Sequence, residues 1–128
     1  MSNSIVEIED TKCLFVFGYN AADSHPIVAR RIVKAKEKGA KIIVCDPRYI
    51  ETARLADLHL ALKNGSNIAL LNAIANVIIE EKLYDKSFIE NHTEQFDEYC
   101  QLVASYTPES VEKTTGLSAQ IIREAARM

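Results

Sequence analysis

Three short polar loops hold the residues best suited to chemistry: Phe17-Gly18-Tyr19-Asn20-Ala21-Ala22-Asp23-Ser24, Cys45-Asp46-Pro47-Arg48, and Lys63-Asn64-Gly65-Ser66-Asn67. Their chemistry is that of holding a ligand. Asn20, Ser66 and Asn67 offer neutral donors and acceptors, and Asp46 is an acceptor for a hydroxyl or a base edge. Arg48 supplies a planar donor fork and Lys63 a point charge, both suited to phosphate. Gly18 lets the backbone approach a ligand closely. Each loop follows an apolar, strand-like run, and the first and third lead straight into long helix-like patterns. In an open parallel sheet, ligands bind outside the carboxyl ends of the strands, beside helix N-termini. The order of these loops on successive strands therefore points to one extended ligand, a nucleotide with phosphates.

The elements that must position the loops follow from periodicity. Leu14-Phe15-Val16-Phe17 lacks polar alternation and reads as a fully buried strand. Gly18 to Pro26 is the turn and helix entry, with Asp23 and Ser24 as N-cap types and Pro26 in a first helical turn. The helix Ile27–Lys38 is expected to turn Ile27, Val28, Ile32, Val33 and Ala35 inward and Arg30, Arg31, Lys34 and Lys38 outward, with Gly39 as its stop. Lys41–Cys45 is a second buried strand, parallel to the first through a βαβ crossover. A short helix around Glu51–Ala56 leads to a third strand, Leu58–Leu62. Ile68–Glu81 is a helix apolar nearly all round, hence buried on more than one side. Further helical stretches follow at Asp85–Glu90, Glu94–Ser105, Glu109–Thr114 and Ser118–Met128. Thr107-Pro108-Glu109-Ser110 makes a good helix start and Gly116 a good stop. Ile5-Val6-Glu7-Ile8 is helix-compatible. The abrupt beginning and the uncapped helical end suggest a domain excised from a longer polypeptide. The fold class is α/β: a Rossmann-like three-layer α/β/α arrangement with a short parallel sheet and a helical C-terminal part, one domain over residues 1–128.

Bulk properties bound the function. The 128 residues, 48% apolar and 26% charged, fit one soluble domain with a real core. A net charge of −3 favours neither nucleic acid nor an anionic membrane, so an anionic ligand needs local donors. No apolar run approaches the ~20 residues of a membrane span. Met1-Ser2-Asn3-Ser4 lacks the regions of a signal peptide, and a cytoplasmic location is the plain expectation. Cys13, Cys45 and Cys100 are odd in number and widely spaced, so they read as reduced thiols, with Cys13 and Cys45 in apolar strand patterns. His25, His59 and His92 form no metal-spaced set.

Each loop taken alone also reads as a plain turn. The first lacks G-x-G-x-x-G, which argues against an ordinary nicotinamide binder. Asp-Pro is a common turn starter, although an acid ending the second strand is where dinucleotide-binding sheets contact a ribose hydroxyl or base edge. A phospho-acceptor role for Asp46 is discounted, because receiver domains need an acidic cluster ending the first strand and Cys13–Phe17 has none.

Taken together the three loops resemble a known family. Phe17-Gly-Tyr-Asn-Ala-Ala-Asp-Ser-His-Pro26 resembles the first cofactor loop of the bis-molybdopterin guanine dinucleotide oxidoreductases. Ile43-Val-Cys-Asp-Pro-Arg-Tyr-Ile-Glu-Thr-Ala53 resembles their second, and Ala61-Leu-Lys-Asn-Gly-Ser-Asn-Ile-Ala-Leu-Leu-Asn72 their third. The third loop and Tyr106-Thr-Pro-Glu-Ser-Val111 are nearest to formate dehydrogenase catalytic subunits. The likeness covers nearly the whole chain.

The resemblance implies a Rossmann-like domain that cradles one of two pyranopterin guanine dinucleotides ligating molybdenum or tungsten. Carried over, Phe17, Gly18, Tyr19, Asn20, Asp23 and Ser24 would line the pyrophosphate and ribose. Cys45, Asp46, Pro47 and Arg48 would lie beside ribose or guanine, and Lys63, Gly65, Ser66 and Asn67 near the guanine end. Many relatives carry an acid where Asn67 stands, so an amide here changes the donor pattern offered to guanine. The family's metal-ligating cysteine or selenocysteine, active-site arginine and iron–sulfur cysteines match nothing in this chain. The resemblance thus implies no catalytic or metal-ligating residue here. It implies a 4Fe-4S cluster in a neighbouring domain, and as partners the other domains of the catalytic subunit and electron-transfer subunits, with no nucleic acid and no membrane. A nitrate reductase or formylmethanofuran dehydrogenase type of domain, or a stand-alone nucleotide-binding module, remain the rival readings.

Overall fold

A computed structural model describes residues 4–128 of the chain, so the first three residues of the N-terminal sequence read above lie outside the described ones. The backbone falls into two compact units, Met1–Ala61 and Leu62–Met128.

The first unit is built on three parallel strands: β1 (Cys13–Phe17), β2 (Lys41–Cys45) and β3 (Leu58–Leu60), ordered β1-β2-β3. Cys13 pairs with Lys41 and Phe17 with Cys45, while Ile43 faces Leu58 across the other edge of β2. Because β2 is paired on both sides, Ile42 to Cys45 are all buried. Strand β1 differs from the fully buried strand expected. It is an edge strand, and Cys13 and Phe15 are exposed, Phe15 at 41%. Its other face is covered: Leu14 and Val16 join Ile42 and Val44 in a core with Ala21, Val28 and Ile32.

Between β1 and β2 run a short helix α1 (Ala21–Ser24) and the long helix α2 (Pro26–Glu37). Pro26 occupies the first turn of α2 as expected, because its missing N–H needs no partner there. Asp23 and Ser24 do not cap α2, however. They lie inside α1, and His25, at φ −144°, stands at the α2 N-cap without a side-chain cap bond. Ile27 is also corrected: it is 71% exposed. The inward stripe of α2 runs through the half-buried Val28 and the buried Ile32 and Ala35, whereas Ile27 shares its face with Arg31 and Lys34. That basic face pairs with Glu9 of a 3-10 helix (Ile5–Asp10) through Arg31 and Lys34. Gly39, at φ +96°, ends α2 by letting its own N–H and that of Ala40 reach back to the Lys36 and Ala35 carbonyls. A 3-10 helix (Glu51–Leu55) follows β2 where a short helix was expected. Strand β3 stops at Leu60, two residues before the expected end.

The second unit is helical. Its helix α3 (Asn67–Glu80) packs on α5 (Phe96–Val103), α6 (Pro108–Thr115) and α7 (Ala119–Arg127), and α4 is Lys86–His92. Leu70, Ala73 and Val77 of α3 are buried with Val103, Val111 and Ile122. The expectation that α3 is covered on more than one side is not met, since Ile68 and Leu71 are exposed. Its starts and stops follow local rules: Asp85, Thr107 and Ser118 each accept a hydrogen bond from the N–H three residues on. Gly116, at φ +76°, closes α6 as expected. Among the described residues no helix is long and apolar enough to cross a membrane.

Candidate functional site

The first two loops meet at the carboxyl ends of β1 and β2. Gly18 follows Phe17 at φ +57°, and its N–H donates to the Cys45 carbonyl at 2.9 Å. The ladder thus continues one residue past β1 and ties the first loop to the start of the second. A Cβ built on Gly18 would meet nothing within 4 Å, so the backbone there is open to an incoming group.

Beyond Gly18, Asn20 organises the turn. Its carbonyl accepts from the Ser24 N–H at 3.2 Å and the Ser24 hydroxyl at 2.7 Å. Its Nδ2 donates to Asp23 Oδ2 at 2.5 Å, and its Oδ1 accepts from the Thr52 hydroxyl at 3.0 Å. Tyr19 lays its ring 5.5 Å from that of His25.

At the end of β2 the chain turns on Asp46, only 5% exposed. Its Oδ1 accepts from the Arg48 backbone N–H at 2.9 Å and from Arg48 Nε at 3.4 Å, an Asx turn that Pro47 suits by its fixed φ. Every described bond to this carboxylate falls on Oδ1, which leaves Oδ2 as an acceptor beside the loop. Arg48 projects into solvent, with its side chain 77% exposed. Burial, with the Asp46 charge next to it, pushes the Cys45 thiol up to about 12, so Cys45 serves through its backbone alone. Cys13, read with Cys45 as an apolar strand thiol, is exposed instead, and all three cysteines are free.

The third loop belongs to the second unit. Gly65 takes φ +82°, the Ser66 hydroxyl is buried and donates to the Lys63 carbonyl at 2.6 Å, and Asn67 opens α3 exposed. Lys63 Nζ donates to the Lys113 carbonyl at 2.9 Å, at the C-terminal end of α6, where a cation suits the carbonyl-rich helix end. Two residues outside the expected set take part in the first site. Thr52 holds Asn20, and His59 on β3 places Nε2 2.9 Å from the Asp46 carbonyl. For His59 the available signal was a polar residue in an otherwise apolar run, between Leu58 and Leu60; Thr52, between Glu51 and Ala53, stands out by no such pattern.

A parallel sheet with polar loops at its strand carboxyl ends, reached through a helical crossover, defines a small α/β domain, an architecture in which ligands bind outside the strand carboxyl ends. The chain belongs to the molybdopterin oxidoreductase family, whose model matches residues 1–125. It is 68% identical to formate dehydrogenase H of Escherichia coli strain K12 over 128 residues, 100% of this chain and 18% of the relative. Identity to the F420-dependent formate dehydrogenase 1 subunit alpha of Methanococcus maripaludis is 51% over 128 residues, 100% of this chain and 19% of the relative. Among solved structures, acetylene hydratase from Pelobacter acetylenicus aligns with a TM-score of 0.85 at 34% identity, covering 95% of this chain and 18% of that one. The chain thus spans about a fifth of the length of the curated relatives it matches.

The family's cofactor is of molybdopterin type with molybdenum. The donor set suits its polar portion. Among the described residues nothing bonds Asp46 Oδ2 or the terminal nitrogens of the Arg48 guanidinium, and the Gly18 backbone is open.

Proposed function

We propose that residues 1–128 act as one cofactor-holding domain of a molybdenum or tungsten formate dehydrogenase catalytic subunit, oxidising formate to carbon dioxide in the intact enzyme. The observation that carries the binding role is the Gly18–Cys45 tie, which sets the open Gly18 backbone and the Asp46 carboxylate side by side. The choice of formate is supported by the 68% and 51% identities to formate dehydrogenases. The group held is a molybdopterin guanine dinucleotide, which when bound supplies two-electron chemistry; the protein supplies binding, orientation and electrostatics.

In this reading Gly18, Tyr19 and Asn20 line the pyrophosphate, where backbone and amide donors face anionic oxygens. Asp23 and Ser24 sit toward the ribose. Asp46 Oδ2 accepts from ribose hydroxyls or the guanine edge, and Arg48 supplies charge to phosphate or a carbonyl. Phe17, Cys45 and Pro47 shape the strand ends. Lys63, Gly65, Ser66 and Asn67 belong to the second unit, and their role toward guanine is a separate proposal that Asn67→Ala tests by itself. The reading extends to a 4Fe-4S cluster in a neighbouring domain, to electron-transfer subunits as partners, and to a cytoplasmic enzyme.

The test is made in the full-length catalytic subunit. Asp46→Ala removes a carboxylate acceptor for the ligand, at a cost of about 1–3 kcal/mol, or roughly 5- to 150-fold in cofactor retention. Molybdenum or tungsten and acid-released guanosine monophosphate are counted per polypeptide. Asp46→Asn, which keeps one acceptor oxygen, is expected to fall between Ala and wild type. Full guanine content in folded Asp46→Ala protein would end the role of Asp46, and full content in Asn20→Ala as well would end the binding role of the loops. Turnover of nitrate instead of formate by the intact enzyme would end the substrate assignment.

A further inference from the structure

Thr52 closes the second loop motif without being among the residues expected to touch the cofactor, yet it is 2% exposed and directed at the first loop. It sits on the 3-10 helix Glu51–Leu55, behind the first loop. Its Oγ1 stands 3.0 Å from Asn20 Oδ1 and 3.4 Å from the Ala22 N–H. A carbonyl oxygen has no proton to give, so the hydroxyl donates to Asn20 and receives from Ala22. On the far side of the carboxamide, Asp23 Oδ2 lies 2.5 Å from Asn20 Nδ2, and an ionised carboxylate only accepts. The two neighbours agree on one orientation. Reversing the amide would set oxygen against the Asp23 carboxylate.

We infer that Thr52 is a positioning residue for the first loop: its hydroxyl fixes the Asn20 carboxamide with the amino group turned toward Asp23 and the ligand side. The inference rests on the proposal that the first loop binds the nucleotide portion of the cofactor. Asn20 is half-buried, and its Nδ2 carries a second hydrogen beyond the one given to Asp23. That hydrogen is the donor Thr52 keeps aimed at an anionic or carbonyl oxygen. Without the hydroxyl, Asn20 Oδ1 loses its donor and only the Asp23 contact orients the amide, so the second hydrogen is held less firmly.

The experiment is a mutant cycle in the full-length subunit, read as acid-released guanosine monophosphate per folded polypeptide. Thr52→Val removes the hydroxyl at nearly constant volume and is expected to lower retention about fivefold, the worth of one neutral hydrogen bond. Thr52→Ser keeps the hydroxyl and is expected to stay within about twofold of wild type. In an Asn20→Ala background, Thr52→Val is expected to add no further loss, because its effect passes through Asn20. If Thr52→Val fails to fold, Thr52→Ala removes the same hydroxyl without a new methyl and enters the same cycle. An equal loss from Thr52→Val with and without Asn20 would overturn the positioning role. So would retention in Thr52→Val beside a clear loss in Asn20→Ala, and that result would leave nucleotide binding by the loop intact. Full guanine content in Asn20→Ala and Asp46→Ala alike would overturn the binding proposal itself and the positioning role with it.

Discussion

Thiol modification offers a sharp test of how the strand end beside the candidate site is held. Alkylating and disulfide reagents react with thiolate, so rate follows the ionised fraction and access. An ordinary thiol with a pKa of 9.0 is ionised at about one part in ten at pH 8, whereas Cys45, pushed up to about 12, is ionised at about one part in ten thousand. Ionisation alone therefore slows Cys45 about a thousandfold, and its burial at the end of β2 slows it further. Cys13 is exposed on the edge strand, and its thiol is raised by partial burial and by the Asp57 charge, so it reacts more slowly than a free thiol but well ahead of Cys45. The assay is timed labelling with iodoacetamide at pH 8, quenching, and assignment of modified peptides by mass. Cys13 and Cys100 are expected to label in the native protein, and Cys45 only after urea is added. Raising the pH from 8 to 9 should speed any residual native reaction of Cys45 about tenfold. Native labelling of Cys45 within tenfold of Cys13 would refute the argument, since neither burial nor a suppressed thiolate could then hold.

Three further outcomes follow from the geometry. Gly18→Ala adds a Cβ that touches nothing within 4 Å, so only the positive φ is penalised, and a loss of about 1–2 kcal/mol is expected from urea unfolding; more than 3 kcal/mol would mean an unseen clash. The Asp57 carboxyl is held below its ordinary value by the Ile42 N–H and then by Lys36 and Lys41. Its folded-state value lies below the unfolded one, so its contribution is present above the unfolded value of ~4 and fades as pH falls through the lower folded value. Asp57→Asn should therefore differ most from wild type in urea midpoint near pH 7 and converge with it in acid, and a difference constant with pH would refute the ionic account. Ile122→Ala, at a fully buried position of α7, is expected to cost about 3 kcal/mol, with Ile122→Val near 1; a loss under 1 kcal/mol for Ala would show that the site collapses around the gap.

The long patterned elements were legible because one signal dominated each. Lys41–Cys45 is five residues of strand ending in a turn, and the structure keeps both ends. Pro26 and Gly39 bracket α2 because each restricts backbone conformation without help from the rest of the fold. What failed depended on neighbours. Asp23 and Ser24 have the chemistry of caps, but Asn20 and Thr52 draw that stretch into a separate turn of helix. Phe15 lies in as apolar a run as Ile43, and only its place on the edge of the sheet exposes it. The paired loops at the ends of β1 and β2 were anticipated from their order in the chain. The partners of Asn20 and Asp46, Thr52 and His59, were not, because each lies more than ten residues from the group it holds.

The parallel pairing also bears on how firmly the first loop is ordered before a ligand arrives. Closing β1 on β2 spans 28 residues, from Cys13 to Lys41, against 15 from Ile43 to Leu58 for β2 on β3. The longer closure costs only roughly 0.5 kcal/mol more in chain entropy, since the cost grows with the logarithm of length. Strand β1 makes five register pairs with β2 to the three that β3 makes, and each hydrogen bond contributes about 1 kcal/mol net. Pairing strength therefore outweighs loop length, and the β1–β2 pair is held at least as firmly as the β2–β3 pair. The Gly18–Cys45 bond is the next rung of that same ladder. A ligand arriving at the strand ends meets backbone that folding has already ordered, and little of its binding free energy goes into arranging it.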